Sequence, residues 1–239
     1  MSSLKDCLVV ILGGSSGIGL ATAKAALDEG ANVVITGRSA ERLARAKLTL
    51  GDGARAVAVD SANEEGIRQL FADLGPVDHV LCAAGAPVAA KRLQVDTAVI
   101  REALDIRLLG DIYVAKYAAP TMRKNGSITF VAGVAAARPY EGSPVTTAAC
   151  AAVEGLARSL AIDLAPLRVN TLRPGYVDTP LWDRVAGAQR EEYIAKIAKK
   201  LLVGRIGRPE ELADAALFLM KNGYVTGTTL TIDGGFLLV

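Results

Sequence analysis

The chain has 239 residues, of which 51% are apolar and 22% are charged, and its formal net charge is +2. This length fits a single α/β domain covering residues 1–239. Acidic and basic residues are interspersed along the chain, which argues against a nucleic-acid or anionic-membrane surface. No run of about 18 uncharged apolar residues occurs, so no membrane-spanning helix is expected.

Cysteine and histidine are too sparse for several kinds of site. Cys7, Cys82 and Cys150 are widely spaced, which predicts reduced thiols in a cytoplasmic protein and no metal site. His79 is the only histidine. A histidine-based triad is therefore not expected, and we place His79 at a strand edge without a chemical role. Residues 1–6 lack the layout of a signal peptide.

Short apolar runs alternate with amphipathic segments along the whole chain. Such alternation predicts one doubly wound parallel sheet of about seven strands with helices on both faces, a Rossmann fold. Ligands bind such sheets beyond the carboxyl ends of the strands. The predicted strands are 8–12, 31–36, 55–59, 77–82, 127–131, 168–172 and 229–232. The predicted helices are about 20–29, 39–48, 64–74, 96–124, 143–164, 191–202 and 209–221.

The turn after the first strand contains Gly13, Gly17 and Gly19, and a helical pattern follows it. Glycine lets the backbone approach a nucleotide pyrophosphate closely, and the N-terminus of a helix offers free N–H groups and partial positive charge. The motif therefore predicts a dinucleotide site. The alternative is that these glycines serve only to pack the helix against the strand.

The turn after the second strand bears on the identity of the cofactor. An acidic residue there would bind the ribose 2′-hydroxyl of NAD, but the chain has Gly37, Arg38 and Ser39. A guanidinium fits a 2′-phosphate, so NADP(H) is favoured over NAD(H), unless Arg38 is only a solvated surface residue. Asp60, after the third strand, can accept a hydrogen bond from the adenine amino group or cap the next helix.

Further motifs follow in order: RVN at 168–170, PGYVDTP at 174–180, GRIGRPEE at 204–211, VTG at 225–227 and IDGG at 232–235. With the glycine turn and Asp60, they make the chain resemble the short-chain dehydrogenase/reductase family over essentially its whole length. The resemblance implies an NADP-dependent oxidoreductase with a substrate lid at about 181–202. The predicted cofactor-binding residues are Gly13, Ser15, Ser16, Gly17, Ile18, Gly19, Arg38, Ser39, Asp60, Ser61, Ala84, Gly85, Pro174, Gly175, Val177 and Thr179.

The chain departs from this family at its four catalytic positions. The family uses Asn, Ser, Tyr and Lys; the local register places Arg107, Gly133, Thr146 and Cys150 there. A threonine hydroxyl is far too weak an acid to replace the tyrosine, and a cysteine cannot supply the lysine's cation. Because a general acid contributes about 10²–10⁴-fold to the rate, standard ketone reduction is not expected.

Three other side chains are candidates for chemistry. Tyr176 is a candidate substitute proton donor, although aromatic packing under the lid is an alternative. Arg107 could bind a substrate anion or a water chain, or be an exposed helix arginine. Cys150 would be reactive only beside a cation or a helix N-terminus, and its alanine-rich surroundings favour a packing function.

Three interpretations remain open. The chain binds NADP(H) but has lost the usual catalysis; or it is an NAD(P)H-dependent oxidoreductase that reduces an activated carbonyl or imine with another proton donor; or it is a non-catalytic partner subunit. The lid suggests a small apolar or mixed substrate. The long helices and the apolar tail at residues 236–239 predict a homo-oligomer, either a homodimer or a homotetramer.

Overall fold

Seven parallel strands form one sheet in the order β3-β2-β1-β4-β5-β6-β7. The computed structural model describes residues 3–85, 88 and 93–239, so residues 1 and 2 of the N-terminal segment lie outside the described residues. The predicted doubly wound Rossmann sheet is confirmed. The strands are β1 (Leu8–Leu12), β2 (Asn32–Gly37), β3 (Ala54–Ala58), β4 (Val77–Cys82), β5 (Met122–Val131), β6 (Arg168–Pro174) and β7 (Thr229–Ile232).

Helices cover both faces of the sheet, which is why the central strands read as continuous apolar runs. Successive residues of β1 alternate between two cores: Val9 and Ile11 pack on one face, and Val10 and Leu12 on the other. Helices α1 and α9 contribute to the first core, and α3, α5 and α6 to the second. The helices are α1 (Gly17–Asp28), α2 (Ala40–Leu50), α3 (Glu64–Leu74), α4 (Thr97–Leu104), α5 (Gly110–Ala118), α6 (Pro144–Asp163), α7 (Leu181–Ala186), α8 (Arg190–Ala198) and α9 (Pro209–Lys221).

The helical region predicted at 96–124 is both shorter and less regular. A π-helical turn, Asp105–Leu109, separates α4 from α5, and the chain leaves helix at Ala118. Pro120 lies in the short 3₁₀ turn that follows, and proline cannot donate the hydrogen bond that would continue a helix. Met122 already pairs with Val77 in the sheet, so the prediction of helix up to residue 124 is wrong.

The expectation that His79 sits at a strand edge is also wrong. His79 lies within β4, which pairs with β1 on one side and β5 on the other, and its ring Nδ1 is 2.9 Å from Ser127 Oγ. Burial lowers the pKa of His79 to about 4. The imidazole is therefore neutral near pH 7 and fills the interior with its polar atom partnered.

Helix α6 is, by length and composition, the one described helix apolar enough to cross a membrane. It packs against β6, and its Glu154 is buried in an ion pair with a residue of that strand. These contacts are typical of a core helix.

Candidate functional site

Two adjoining cavities lie at the carboxyl ends of β1 and β4, where the strand order reverses. Their volumes are about 360 Å³ and 120 Å³. Both are lined by the glycine turn after β1 and by the segment after β4, so they form one groove across the switch point of the sheet. The residues common to both are Gly13, Ser16, Arg42, Ala83 and Gly85.

The glycine turn is closely packed, and two of its residues leave no room for a side chain. Gly13 has φ +76°, and a Cβ there would lie 2.7 Å from the backbone nitrogen of Ala84. A Cβ on Gly19 would lie 2.4 Å from the carbonyl oxygen of Gly13. The turn therefore requires glycine to bring α1 against β1 and β4, so packing is one of its functions.

The N-terminus of α1 faces the same groove. Its N-cap, Ser16, is extended and makes no side-chain capping bond, and the first turn of α1 contains no acidic residue. Ser16, Gly17, Ile18 and Gly19 line the larger cavity. The first N–H groups of α1 and its dipole therefore favour an anion at this position.

Two arginines line the smaller cavity of the groove. Arg38 lines the smaller cavity, and its exposed guanidinium donates to Glu102 at 3.2 Å. Arg42, in the first turn of α2, lines both cavities and has no ion pair with another residue in the described part of the chain. Sequence reasoning missed Arg42. The backbone N–H of Arg42 donates to Ser39 Oγ. The serine cap at residue 39 was therefore the sequence signal that places Arg42 in the first turn of α2.

Four of the predicted cofactor residues line neither cavity. Ser39 caps α2, and Asp60 Oδ1 accepts from the backbone N–H of Ala62, while Asn63 is the N-cap of α3. Gly175 packs closely on Asp233, and Val177 is buried. The remaining predicted residues line the groove: Gly13, Ser15, Ser16, Gly17, Ile18, Gly19, Arg38, Ser61, Ala84, Gly85, Pro174 and Thr179.

Arg107 reaches the other end of the groove from the π-helical turn. Its Nη1 donates to the carbonyl oxygens of Val131 at 2.7 Å and Ala132 at 3.4 Å. A Cβ on Gly85 would lie only 2.5 Å from Arg107 Nη2, so the guanidinium lies directly against that glycine. Arg107 therefore lines the larger cavity and is not an exposed helix residue.

The other three predicted catalytic positions, Gly133, Thr146 and Cys150, present little chemistry. A Cβ on Gly133 would be 3.4 Å from Cys150 Sγ. The Thr146 hydroxyl accepts from the backbone N–H of Val88 at 2.9 Å and lies 3.3 Å from its carbonyl oxygen. Cys150 is 2% exposed, and burial raises the pKa of its thiol. A neutral, buried thiol is typical of packing rather than nucleophilic chemistry.

Asp111 is a buried acid beneath this corner that sequence reasoning did not single out. Burial holds the pKa of its carboxyl well above the usual range, although Arg107 opposes the shift. Burial likewise raises the pKa of Cys82, which hydrogen-bonds to Asp111. Asp111 does not line the groove. Within the described ranges, no group of three or more histidine, cysteine or acidic side chains could hold a metal ion.

The predicted lid, 181–202, consists of α7, a 3₁₀ turn and α8. Beside it Tyr176 stacks on Trp182 with ring centroids 5.5 Å apart, and it meets Phe236 edge-on at 5.1 Å. Burial raises the pKa of Tyr176 to about 12. Tyr176 thus packs under the lid and would be a poor acid. Phe236 of the apolar tail packs within the chain, whereas Leu238 is exposed.

A third cavity, of about 650 Å³, lies between the lid and the C-terminal segment. We call it the lid cavity. Its walls come from four separate segments of the chain. The residues that line it are Arg138, Pro139, Tyr140, Tyr176, Tyr193, Lys196, Ile197, Lys200, Phe236 and Val239.

Comparison with known proteins places this geometry in a family. The sequence profile described as "Enoyl-(Acyl carrier protein) reductase" matches residues 13–237. The chain is 33% identical to the short-chain dehydrogenase/reductase ucsE of Acremonium sp over 255 residues, 98% of this chain and 97% of that one. The MalC reductase/Diels-Alderase of Malbranchea aurantiaca superposes with a TM-score of 0.91 at 32% identity, covering 99% and 98% of the chains. A small-chain dehydrogenase in complex with NADPH superposes with a TM-score of 0.82 at 28% identity, covering 98% and 100%.

Proposed function

Because the chain belongs to the short-chain dehydrogenase/reductase family, we propose that it binds NADP(H) in the groove but lacks the family's tyrosine–lysine proton relay. One observation carries this proposal. The groove keeps its glycine turn and open helix N-terminus, while no tyrosine, lysine or histidine is among the described residues that line it.

The residues of the groove fit a phosphorylated dinucleotide. The α1 N-terminus would hold the pyrophosphate, and Pro174 and Thr179 would border the nicotinamide end. Arg42 and Arg38 would lie near the adenosine ribose. When bound, the cofactor supplies a hydride, and this chain's residues position the groups around it. The NADPH complex of a structural neighbour supports this assignment.

Arg42 should decide the preference for NADP(H). We expect Arg42→Ala to weaken NADPH binding by about 1.5–3 kcal/mol, because a guanidinium–phosphate hydrogen bond is charge-assisted. NADH binding should change less. Arg38→Ala is the matched variant, and its smaller effect would follow from its competing contact with Glu102. Fluorescence titration with both nucleotides measures this, and equal losses for NADPH and NADH would contradict it.

The proposal itself is tested on the purified chain with NADPH and simple ketones. We expect saturable NADPH binding and no ketone-dependent NADPH oxidation. Failure to bind either nucleotide would instead support the partner-subunit interpretation. Steady reduction of unactivated ketones would contradict the loss of the proton relay.

A second candidate function, reduction of an activated carbonyl or imine, is favoured by the position of Arg107. Its guanidinium is fixed by Val131 and lines the cavity that Pro174 and Thr179 also border. A guanidinium remains charged at neutral pH and can stabilise an oxygen anion but does not act as an acid. It therefore suits an activated carbonyl better than an imine, because the carbonyl oxygen becomes an alkoxide when hydride reaches the carbon and then takes a proton from water.

Arg107→Met tests this candidate. With any acceptor that the protein turns over, kcat should fall about 10²–10³-fold, the usual cost of losing one donor at a developing oxyanion. NADPH affinity should fall much less. Arg101→Met, an exposed arginine of α4, is the control and should leave kcat unchanged. If Arg107→Met had the same kcat as the parent protein, Arg107 would have no role in the chemical step.

We further infer a homo-oligomer in the cytoplasm. Four exposed apolar side chains lie on the helical regions that the family resemblance pairs between subunits: Val99 on α4, Leu109 in the π-helical turn, Ile112 on α5 and Ile162 on α6. A partner subunit would cover them. A monomeric mass in light scattering at micromolar concentration would contradict the oligomer.

A further inference from the structure

The lid cavity is lined by both aromatic and cationic side chains. Tyr140, Tyr176, Tyr193 and Phe236 provide rings. Tyr193, Lys196, Ile197 and Lys200 recur at helical spacing, so one face of α8 and the turn after it borders the cavity. Rings and cations from distant parts of the sequence therefore meet around one space.

Three cations line the lid cavity, and none of the side chains that line it is acidic. Arg138 is held in place, since it donates to the carbonyl oxygen of Phe236 and its guanidinium lies 4.6 Å from the centroid of that ring. Lys196 and Lys200 form no ion pair with any residue in the described ranges. If Val239 carried a terminal carboxylate, its charge would offset only one of these three cations. The lid cavity is therefore positively charged.

We propose that the lid cavity binds a small aromatic carboxylate. Its ring would pack against the tyrosines, and its carboxylate would pair with Lys196 and Lys200. A volume of about 650 Å³ is within the range of small-molecule pockets, and such pockets combine apolar walls with a few convergent polar groups. Lysines fit this task because charge-assisted hydrogen bonds to carboxylate are short and strong.

The inference deepens the proposed function and rests on it only for the orientation of the ligand. Tyr176 lines the lid cavity, while Pro174 and Thr179, on either side of it in the chain, line the groove. A ligand anchored at α8 by its carboxylate would thus direct its other end towards the groove. The acceptor class is then an aromatic or ring acceptor that carries a carboxylate.

Calorimetry with 2-naphthoate and its neutral isostere 2-naphthamide tests the inference in the full chain saturated with NADPH. We expect 2-naphthoate to bind about 5- to 30-fold more tightly, which is the effect of one or two kcal/mol. Lys196→Ala/Lys200→Ala should remove that preference and leave 2-naphthamide binding unchanged. Lys199→Ala is the matched control, because Lys199 lies between them in sequence and does not line the cavity.

Equal affinities for the two probes, or an equal loss in Lys199→Ala, would overturn the inference. NADPH titration of the same variants separates this result from the proposed function. Normal NADPH binding without a preference for the carboxylate would reject only the lid-cavity ligand. Absent NADPH binding with intact 2-naphthoate binding would reject only the cofactor proposal. A circular dichroism spectrum identical to that of the parent protein shows that each variant is folded.

Discussion

Gly13→Ala is expected to lower the free energy of unfolding by about 2–5 kcal/mol and to abolish saturable NADPH binding. Gly13 has φ +76°, and a side chain in that conformation costs about 1–2 kcal/mol. The added Cβ would also lie 2.7–2.9 Å from backbone atoms of Ala83 and Ala84, which cannot rotate away as a flexible side chain can. Overpacking of this kind costs about 1–3 kcal/mol more.

Gly75→Ala separates the two contributions. Gly75 has φ +72°, but no atom lies within 4 Å of the position of its Cβ. It should therefore lose only the conformational part and bind NADPH normally. Urea unfolding and fluorescence titration of both variants provide the comparison. Equal destabilisation would show that the packing of the turn against the segment after β4 contributes nothing.

Glu154→Gln is expected to destabilise the protein by up to about 3–5 kcal/mol, because it leaves the partly buried guanidinium of Arg173 without its counter-charge. Arg173 Nε and Nη2 donate to the two Glu154 oxygens at 2.7 Å and 2.6 Å, and Arg173 Nη1 donates to Thr231 Oγ1 at 3.2 Å. The side chains are only 17% and 9% exposed. This contact joins α6 to β6 and β7.

An exposed pair is the control for the effect of burial. Glu65 and Arg68 form a similar two-bond contact on the surface of α3, and Glu65→Gln should leave the free energy of unfolding close to that of the parent protein, because solvent screens an exposed pair. The double variant Glu154→Leu/Arg173→Met should recover most of the loss, since an apolar pair leaves no charge unpartnered. If Glu154→Gln lowered the free energy of unfolding in urea as little as Glu65→Gln does, this account would be contradicted.

Local signals were sufficient for much of the fold. Continuous apolar runs such as Leu8–Leu12 mark strands that are buried on both faces, and the order of strands and helices follows from their alternation. The segment 96–124 was misjudged because helical periodicity continues past the point where Pro120 and pairing with β4 end the helix. Sheet pairing is a contact between distant residues, and periodicity does not report it.

The candidate site likewise combines features that local sequence patterns predict with features that depend on tertiary contacts. The glycine turn is a local pattern, and so are the segments that carry the four predicted catalytic positions. The sequence by itself therefore supplied the cofactor motif and the prediction that Thr146 and Cys150 stand in place of tyrosine and lysine. It could not decide whether Arg107 enters the groove, because the π-helical turn and the carbonyl of Val131 fix that side chain. Burial determined that Cys150 is a neutral thiol.

Only the tertiary structure placed the charges that line the two candidate binding sites. Arg42 follows a helix cap with no motif of its own, yet the packing of α2 beside β2 brings it to the groove. Arg138, Lys196 and Phe236 are far apart in sequence and meet because the segments that carry them follow the carboxyl ends of the adjacent strands β5, β6 and β7. Local sequence patterns predict the order of strands and helices along the chain. The shape and charge of a cavity depend instead on contacts between segments that are distant in sequence.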